Sequence, residues 1–102
     1  MTTGPHKTHP AATAVAITGA DQQVATGNTI LMGYMVADDA EGTPVINFYN
    51  GTDNTGTLVA TGRKADGKHE TFWFGPNGVH CPDGIYADVT AGTPSGSVFI
   101  LQ

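Results

Sequence analysis

The sequence predicts an all-β fold: a single antiparallel β-sandwich, jelly-roll-like or immunoglobulin-like, of about seven to eight strands with an extended N-terminal arm. Short apolar segments recur along the 102 residues at intervals near the roughly 8 to 12 residues typical of sandwiches. Gly, Pro, Asn and Asp separate these segments, and 14 of the residues are glycine. Only 13% of the residues are charged, a composition that suits strands and turns better than helices.

The first dozen residues predict an arm rather than part of the sandwich. Residues 1–12 contain Pro5 and Pro10 and show no apolar periodicity. We expect this segment to be extended and to become ordered against a partner. The rest, residues 13–102, contains no linker and is predicted to be one domain.

The predicted strands are short, and most have one apolar face and one mixed face. Ile46 and Phe48 alternate with Asn47 and Tyr49, as residues do when one side of a strand is buried. The segments are Ala14 to Gly19, Thr29 to Ala37, Pro44 to Asn50, Thr57 to Gly62, His69 to Phe74, Gly84 to Thr90 and Ser97 to Leu101.

Two segments are apolar on both faces, Ile30 to Val36 and Val98 to Leu101. This pattern is typical of central or doubly covered strands. A helix over the first segment also satisfies the periodicity, but the segment is short, contains Gly33 and follows the turn residues Gly27 and Asn28. The sequence therefore favours a strand.

Four turn motifs predict how the strands are connected. Each offers residues that tolerate positive φ or preset a turn. Because no segment resembles the crossover helix that parallel strands need, the sheets are predicted to be antiparallel. The motifs are Asn50-Gly51, Pro76-Asn77-Gly78, Pro82-Asp83-Gly84 and Thr93-Pro94-Ser95-Gly96.

The charge and the apolar content of the sequence argue against two classes of partner. The formal net charge is -5, and only four residues are Lys or Arg, too few to neutralise a run of phosphates, so we expect no nucleic-acid binding. No apolar run approaches the roughly 20 residues of a membrane span, so we expect no membrane partner. Cys81 is the single cysteine, which excludes an intrachain disulfide and suggests folding in the cytoplasm.

The His and Cys residues do not have the spacing of a metal or catalytic site. His80 and Cys81 are adjacent, so on a strand they point to opposite faces and cannot converge. His6 and His9 lie in the predicted arm, where solvated side chains are the simpler interpretation. We expect no metal, no cofactor and no catalytic residue, and hence not an enzyme.

Aromatic side chains are the candidate binding residues. Trp73, Tyr49 and Tyr86 fall on the mixed faces of their strands and predict an exposed aromatic surface. Tyr34 is included, although it shares a face with apolar neighbours, and His6 and His9 of the arm complete the set. Three interpretations stay open for the rings: a protein interface, a sugar-binding surface, or ordinary core and second-layer packing.

Five segments together resemble a family of small virion proteins of tailed bacteriophages. In that family a strand ends in an aromatic residue followed by [DN]-G-T, and GP-x-G leads into G-[IV]-Y-[VA]-D-V. The similarity covers roughly Ile30 to Leu101. The segments are Pro44 to Thr52 (PVINFYNGT), Gly56 to Ala60 (GTLVA), Phe72 to Gly78 (FWFGPNG), Gly84 to Val89 (GIYADV) and Gly96 to Phe99 (GSVF).

The resemblance implies a non-enzymatic virion structural protein, made in the host cytoplasm and located in the virion. It suggests a capsid decoration or cement protein that binds the major capsid protein, or other virion proteins, in many copies. We also expect a homo-oligomer, a trimer or another symmetric assembly, because oligomerisation would add buried area that a chain of 102 residues lacks. No functional residue is carried over from the family. The alternative is a carbohydrate-binding adhesion module of a phage head fibre or tail, with Trp73 and the tyrosines as stacking platforms.

Overall fold

The computed structural model describes residues 11–38, 43–63 and 70–102, which form nine strands and no helix. The all-β prediction is confirmed for these ranges, and they contain no helix that could cross a membrane. The strands are β1 (Thr13–Ala16), β2 (Gln22–Thr26), β3 (Thr29–Asp38), β4 (Val45–Asn50), β5 (Thr57–Arg63), β6 (Glu70–Trp73), β7 (Val79–Cys81), β8 (Gly84–Ala91) and β9 (Pro94–Leu101).

Two antiparallel sheets pack face to face. Sheet A has the order β1-β9-β3-β6, and β7 pairs with β3 beyond the end of β6, so β6 and β7 share one edge. Sheet B has the order β2-β8-β4-β5. The chain passes repeatedly from one sheet to the other, and the resulting order is that of a jelly roll. The predicted antiparallel sandwich is therefore confirmed in its jelly-roll form.

The two doubly apolar segments are the inner strands of sheet A. β3 lies between β9 and the β6 edge, and β9 lies between β3 and β1. The pairing of β3 with β9 shifts register between Leu31 and Gly33. This irregularity changes which residues face inward, because Leu31 is buried before it and Tyr34 and Val36 are buried after it.

The core lies between the sheets and follows the predicted alternation. Ile46 and Phe48 of β4 and Ile85 of β8 are fully buried on the inner side of sheet B. Leu31 of β3 and Val98 of β9 face them from sheet A and are also fully buried. Burial of these side chains is the main term that stabilises the sandwich.

Two strands were not predicted, β2 and β7. β2 has the sequence QQVAT, and its two adjacent glutamines interrupt the alternation of apolar and polar residues that predicts a strand. The Gln23 side chain instead secures the structure, because its Nε2 donates to the carbonyl oxygens of Ala25, Gly51 and Ile85. β7 has only three residues, too few to show a period of two.

Three of the four predicted turns are confirmed, and the fourth lies earlier. Gly51, Gly78 and Gly84 all have positive φ. The last turn is centred on Gly92, at φ 72, and β9 already begins at Pro94. Proline is tolerated as the first residue of a strand, where its missing N–H costs no ladder hydrogen bond.

Candidate functional site

The exposed aromatic residues predicted to form one surface lie on opposite sides of the sandwich. Trp73 is on the outer side of sheet A, whereas Tyr49 and Tyr86 are on the outer side of sheet B. Stacked sheets are about 10 Å apart, so these rings cannot meet. They belong to two separate surfaces.

Tyr34 faces the core and belongs to neither surface. It is 4% exposed, its ring centroid is 5.2 Å from that of Phe48, and its hydroxyl donates to the carbonyl oxygen of Thr61 at 3.2 Å. Burial, and then the neighbouring Glu70, raises the pKa of Tyr34 to about 12. Of the open interpretations for this ring, the structure supports core packing, and Tyr34 is corrected from a candidate binding residue to a core residue.

The outer side of sheet A carries what we term the apolar face. It consists of nine of the residues that point away from the core on the adjacent strands β1, β9, β3 and β6. Strand register places Trp73, Gly33, Phe99 and Ala14 in one row across the sheet. The apolar face comprises Ala14, Ala16, Ile30, Met35, Thr71, Trp73, Ser97, Phe99 and Leu101.

Trp73 is the most prominent residue of the apolar face. It is 56% exposed, although it is one of the largest apolar side chains in the chain. Its ring extends over Gly33, because a β-carbon on Gly33 would stand 3.1 Å from the indole Cε3. At the opposite edge, β1 presents only Ala14 and Ala16, both exposed. The face therefore protrudes at the β6 edge, where the side chain is large, and is recessed at the β1 edge, where the side chains are small.

None of the nine residues of the apolar face is charged, in a chain of net charge -5. Phe99, Met35, Ile30 and Leu101 are each partly exposed there. These four residues are not among the binding residues predicted from the sequence. The signal was present in the doubly apolar pattern of β3 and β9, but it indicates a second covered side without saying what covers it.

The outer side of sheet B carries a different surface, which we term the tyrosine face. Tyr49 and Tyr86 are direct partners across β4 and β8, and the next row pairs Asn47 with Asp88. Leu58 pairs with Tyr49 and is 52% exposed. The tyrosine face comprises Asn47, Tyr49, Leu58, Thr61, Tyr86 and Asp88.

The tyrosine face is polar and acidic. Thr61 Oγ1 donates to Asn47 Oδ1 at 2.8 Å, which fixes the orientation of that amide. The pKa of Tyr86 is raised by desolvation and then by the negative charges of Asp21, Asp88 and Asp53. Among the described residues, carboxylates therefore gather near this side of the sandwich, and none belongs to the apolar face.

Several polar side chains are engaged by backbone groups of the fold. Asp21 Oδ1 accepts from the N–H of Val89 at 2.7 Å, and Asn50 Oδ1 accepts from the N–H of Asp83 at 2.9 Å. Asp53 accepts from the N–H and hydroxyl of Thr55, and these hydrogen bonds lower the pKa of its carboxyl. Through these hydrogen bonds the three side chains hold turns in place.

Other polar side chains of this kind lie where the two sheets meet. Glu70 Oε1 accepts from the backbone N–H of Arg63 at 2.9 Å, which links β6 of sheet A to β5 of sheet B. This carboxylate is therefore also bound within the fold.

His80 and Cys81 lie on opposite sides of β7, as their adjacency predicts. Cys81 is fully buried, its Sγ lies 3.7 Å from the carbonyl oxygen of Val79, and burial raises the pKa of its thiol. His80 is exposed, and its Nε2 hydrogen-bonds Asn28 Oδ1. Within residues 11–38, 43–63 and 70–102, no three His, Cys, Asp or Glu side chains are grouped to hold a metal ion. His6 and His9 lie outside the described residues.

No protein-family model, no curated protein and no solved structure matches this chain. Its two outer faces are therefore the basis for a functional proposal.

Proposed function

We propose that this chain is a non-enzymatic structural protein of a bacteriophage virion, a capsid decoration protein that binds the major capsid protein lattice in many copies. The observation that carries the proposal is the apolar face, an uncharged surface with Trp73 56% exposed. The sequence resemblance to small virion proteins supports the same assignment.

Exposed apolar surface of this kind marks association sites in water-soluble proteins. A contiguous apolar patch that contacts water lacks the free energy that burial would provide, and tryptophan is enriched where partners bind. Trp73, Phe99 and Met35 lie close together on one regular sheet. A flat β-sheet is well suited to contact another flat protein surface, as in a repeated lattice.

The engagement of polar groups supports a structural function rather than catalysis. A general acid or base must be within reach of substrate with its polar atoms available. Asp21 and Asn50 instead accept hydrogen bonds from backbone N–H groups of distant segments, and Glu70 accepts one from the N–H of Arg63, seven residues earlier. Cys81 is buried, with its thiol pKa raised, the opposite of an activated nucleophile.

The architecture is consistent with this proposal but does not choose the function. Jelly rolls occur both in viral capsid proteins and in lectins. Function depends on the surface that a fold presents, so the faces carry more weight than the topology.

Particle binding tests the proposal. Purified phage particles that lack this protein would be incubated with the wild-type chain, with Trp73→Ala and with Leu58→Ala, and bound copies quantified after sedimentation. Leu58 is the matched control, since it is 52% exposed on the opposite sheet. We expect saturable binding of wild type and Leu58→Ala, and at least a tenfold loss for Trp73→Ala. Absence of wild-type binding would refute the proposal.

A second candidate function, carbohydrate binding by an adhesion module, is favoured by the tyrosine face. Tyr49 and Tyr86 form an aromatic pair beside Asn47 and Asp88, a combination of stacking surface and hydrogen-bonding groups that suits a sugar ring. A glycan array with the full chain tests it. Binding that is lost in Tyr49→Ala and Tyr86→Ala but kept in Trp73→Ala would support adhesion, and no bound glycan would exclude it on that array.

A further inference from the structure

We infer that the apolar face binds a second copy of this chain, in a two-fold, face-to-face dimer that places Trp73 of each copy over Ala14 and Ala16 of the other. This inference rests on the proposed function and names a partner for the same surface. The dimer would be a form of the free chain, and its dissociation would expose the same face to the capsid lattice.

The first support is that the sequences of β3 and β9 predict strands covered on both faces, whereas the fold covers only their inner face. Their segments Ile30 to Val36 and Val98 to Leu101 are apolar on both sides, a pattern typical of strands covered on both faces. The core covers the inner side. On the outer side, Ile30, Phe99 and Leu101 keep part of their surface exposed in the described part of the chain. A covering sheet is therefore expected from outside.

The shape of the apolar face is complementary to a second copy of itself. Along one row, Trp73 is the high edge and Ala14 is the low edge, with Phe99 between them. A two-fold axis that lies between the two packed faces and runs parallel to the strands reverses this row in the second copy. The indole of Trp73 in each copy then packs over the small side chains Ala14 and Ala16 of β1 in the other copy. An unrelated protein would fit this face only if its surface happened to have the complementary shape.

The charge distribution also favours a second copy on this side. Each chain has a net charge of -5, so two copies repel one another in most orientations. Face-to-face packing of sheet A brings together the nine uncharged residues of the apolar face, with His80 of β7 beside Ile30 on the same side. It leaves Asp88 and the carboxylates around Tyr86 on the far side of each sandwich.

The size of the face predicts a reversible dimer. Four strands spaced ~4.8 Å apart, each presenting about seven residues at ~3.3 Å, give a footprint of about 400 Å². This is roughly half of the ~800 Å² per partner in a standard stable interface. We therefore expect a weak dimer that dissociates on dilution, with dimers dominating only at high concentration.

Analytical ultracentrifugation of the full chain over a wide concentration range tests the inference. We expect a monomer–dimer equilibrium for wild type and at least a tenfold weaker one for Trp73→Ala and Ala14→Glu. Matched controls are Leu58→Ala and Ala91→Glu, which alter exposed positions of sheet B and should dimerise like wild type. Thermal unfolding of the dilute variants separates loss of dimer from loss of fold. Added salt should strengthen the dimer, because it screens the repulsion between the two acidic chains.

Tryptophan fluorescence provides an independent readout. Trp73 is the only tryptophan in the chain, so its emission reports directly on the apolar face. On dimerisation the emission maximum should shift to shorter wavelength, with the same midpoint as the mass change. Ala14→Glu should remove the shift although Trp73 itself is intact.

The outcomes separate this inference from the proposed function. A wild-type chain that stays monomeric at all concentrations overturns the dimer, and if Trp73→Ala still abolishes particle binding, the apolar face binds the capsid directly. A trimer overturns the two-fold arrangement. A Trp73-dependent dimer that does not bind particles supports the inference and refutes the proposed function.

Discussion

Tyr34 in sheet A packs against Gly62 in sheet B so closely that a β-carbon on Gly62 would lie 2.9 Å from the Tyr34 Cε1 atom. The tyrosine hydroxyl donates to the carbonyl oxygen of the preceding residue, Thr61, at 3.2 Å. The ring and the hydroxyl thus join the two sheets near the β5 edge, where the absence of a side chain on Gly62 makes room for the aromatic ring.

Gly62→Ala is expected to destabilise the fold. The new methyl group would also be 2.9 Å from Val36 Cγ2, so two buried side chains must move. Overpacking of this kind costs about 1 to 3 kcal/mol of unfolding free energy, measured by urea denaturation. In a Val36→Ala background the same substitution should cost less, because one of the two neighbours is then smaller. Equal costs in both backgrounds would contradict the close contact.

Alkaline pH should weaken the fold through Tyr34. Its pKa is raised from 10.0 to about 12 in the folded protein, so the folded state holds the hydroxyl proton more tightly than the unfolded chain does. This contribution is complete below pH 10, the pKa in the unfolded chain, and is lost as pH rises through 12. Urea denaturation at several pH values would show the unfolding free energy falling over this window.

Tyr34→Phe is the matched variant for this pH dependence, since it keeps the ring and removes the titrating group. It should be less stable at neutral pH by about 1 kcal/mol, the value of a typical hydrogen bond. Its decline between pH 10 and 12 should be shallower than that of wild type. An identical decline would assign the effect to other groups, such as Tyr86, whose pKa is also raised.

Cys81 is expected to be unreactive while the protein is folded. Its side chain is fully buried and its thiol pKa is raised, so both access and thiolate fraction are low. Labelling with a maleimide, followed by mass spectrometry, should be slow in buffer and should accelerate across the urea unfolding transition. Rapid labelling in buffer would show that β7 separates from β3 without global unfolding.

The fold could be predicted from the sequence where alternation and turn chemistry are strong. The alternation of Ile46 and Phe48, and the glycines of the three confirmed turns, give local signals that tertiary contacts reinforce. β2 and β7 have no such local signal. They form because β8 and β3 provide hydrogen-bonding partners for them. This effect is long-range in sequence, so the local alternation of apolar residues does not predict it.

The candidate site could be predicted in part. Outward positions for Trp73, Tyr49 and Tyr86 follow from alternation, but which sheet each strand joins does not, so two surfaces were predicted as one. Tyr34 lies beyond the irregularity at Leu31 and Gly33, which places it on the inner side. A register shift in a single strand is not visible in apolar periodicity.

Asp21 is expected to contribute to stability because it ties the turn before β2 to β8. Its Oδ1 accepts the backbone N–H of Val89, 68 residues away in sequence, at 2.7 Å. Asp21→Ala should therefore lower the unfolding free energy by about 1 to 2 kcal/mol. Asp53→Ala removes the same charge but breaks hydrogen bonds only to Thr55, within one exposed turn, and should have a smaller effect. Equal effects in urea denaturation would show that charge, and not the cross-chain hydrogen bond, is responsible.

Gly33→Ala is expected to disturb both the fold and the apolar face. A β-carbon at this position would be 2.5 Å from the carbonyl oxygen of Phe72 and 3.1 Å from the Trp73 ring, so β6 must move away from β3 and the indole must leave its place. We expect loss of both unfolding free energy and self-association. Trp73→Ala should lose self-association with a smaller loss of stability, because Trp73 is largely exposed. Denaturation and ultracentrifugation of the two variants in parallel check this difference, and a Gly33→Ala chain that dimerises like wild type would show that the position of the indole over β3 does not shape the interface.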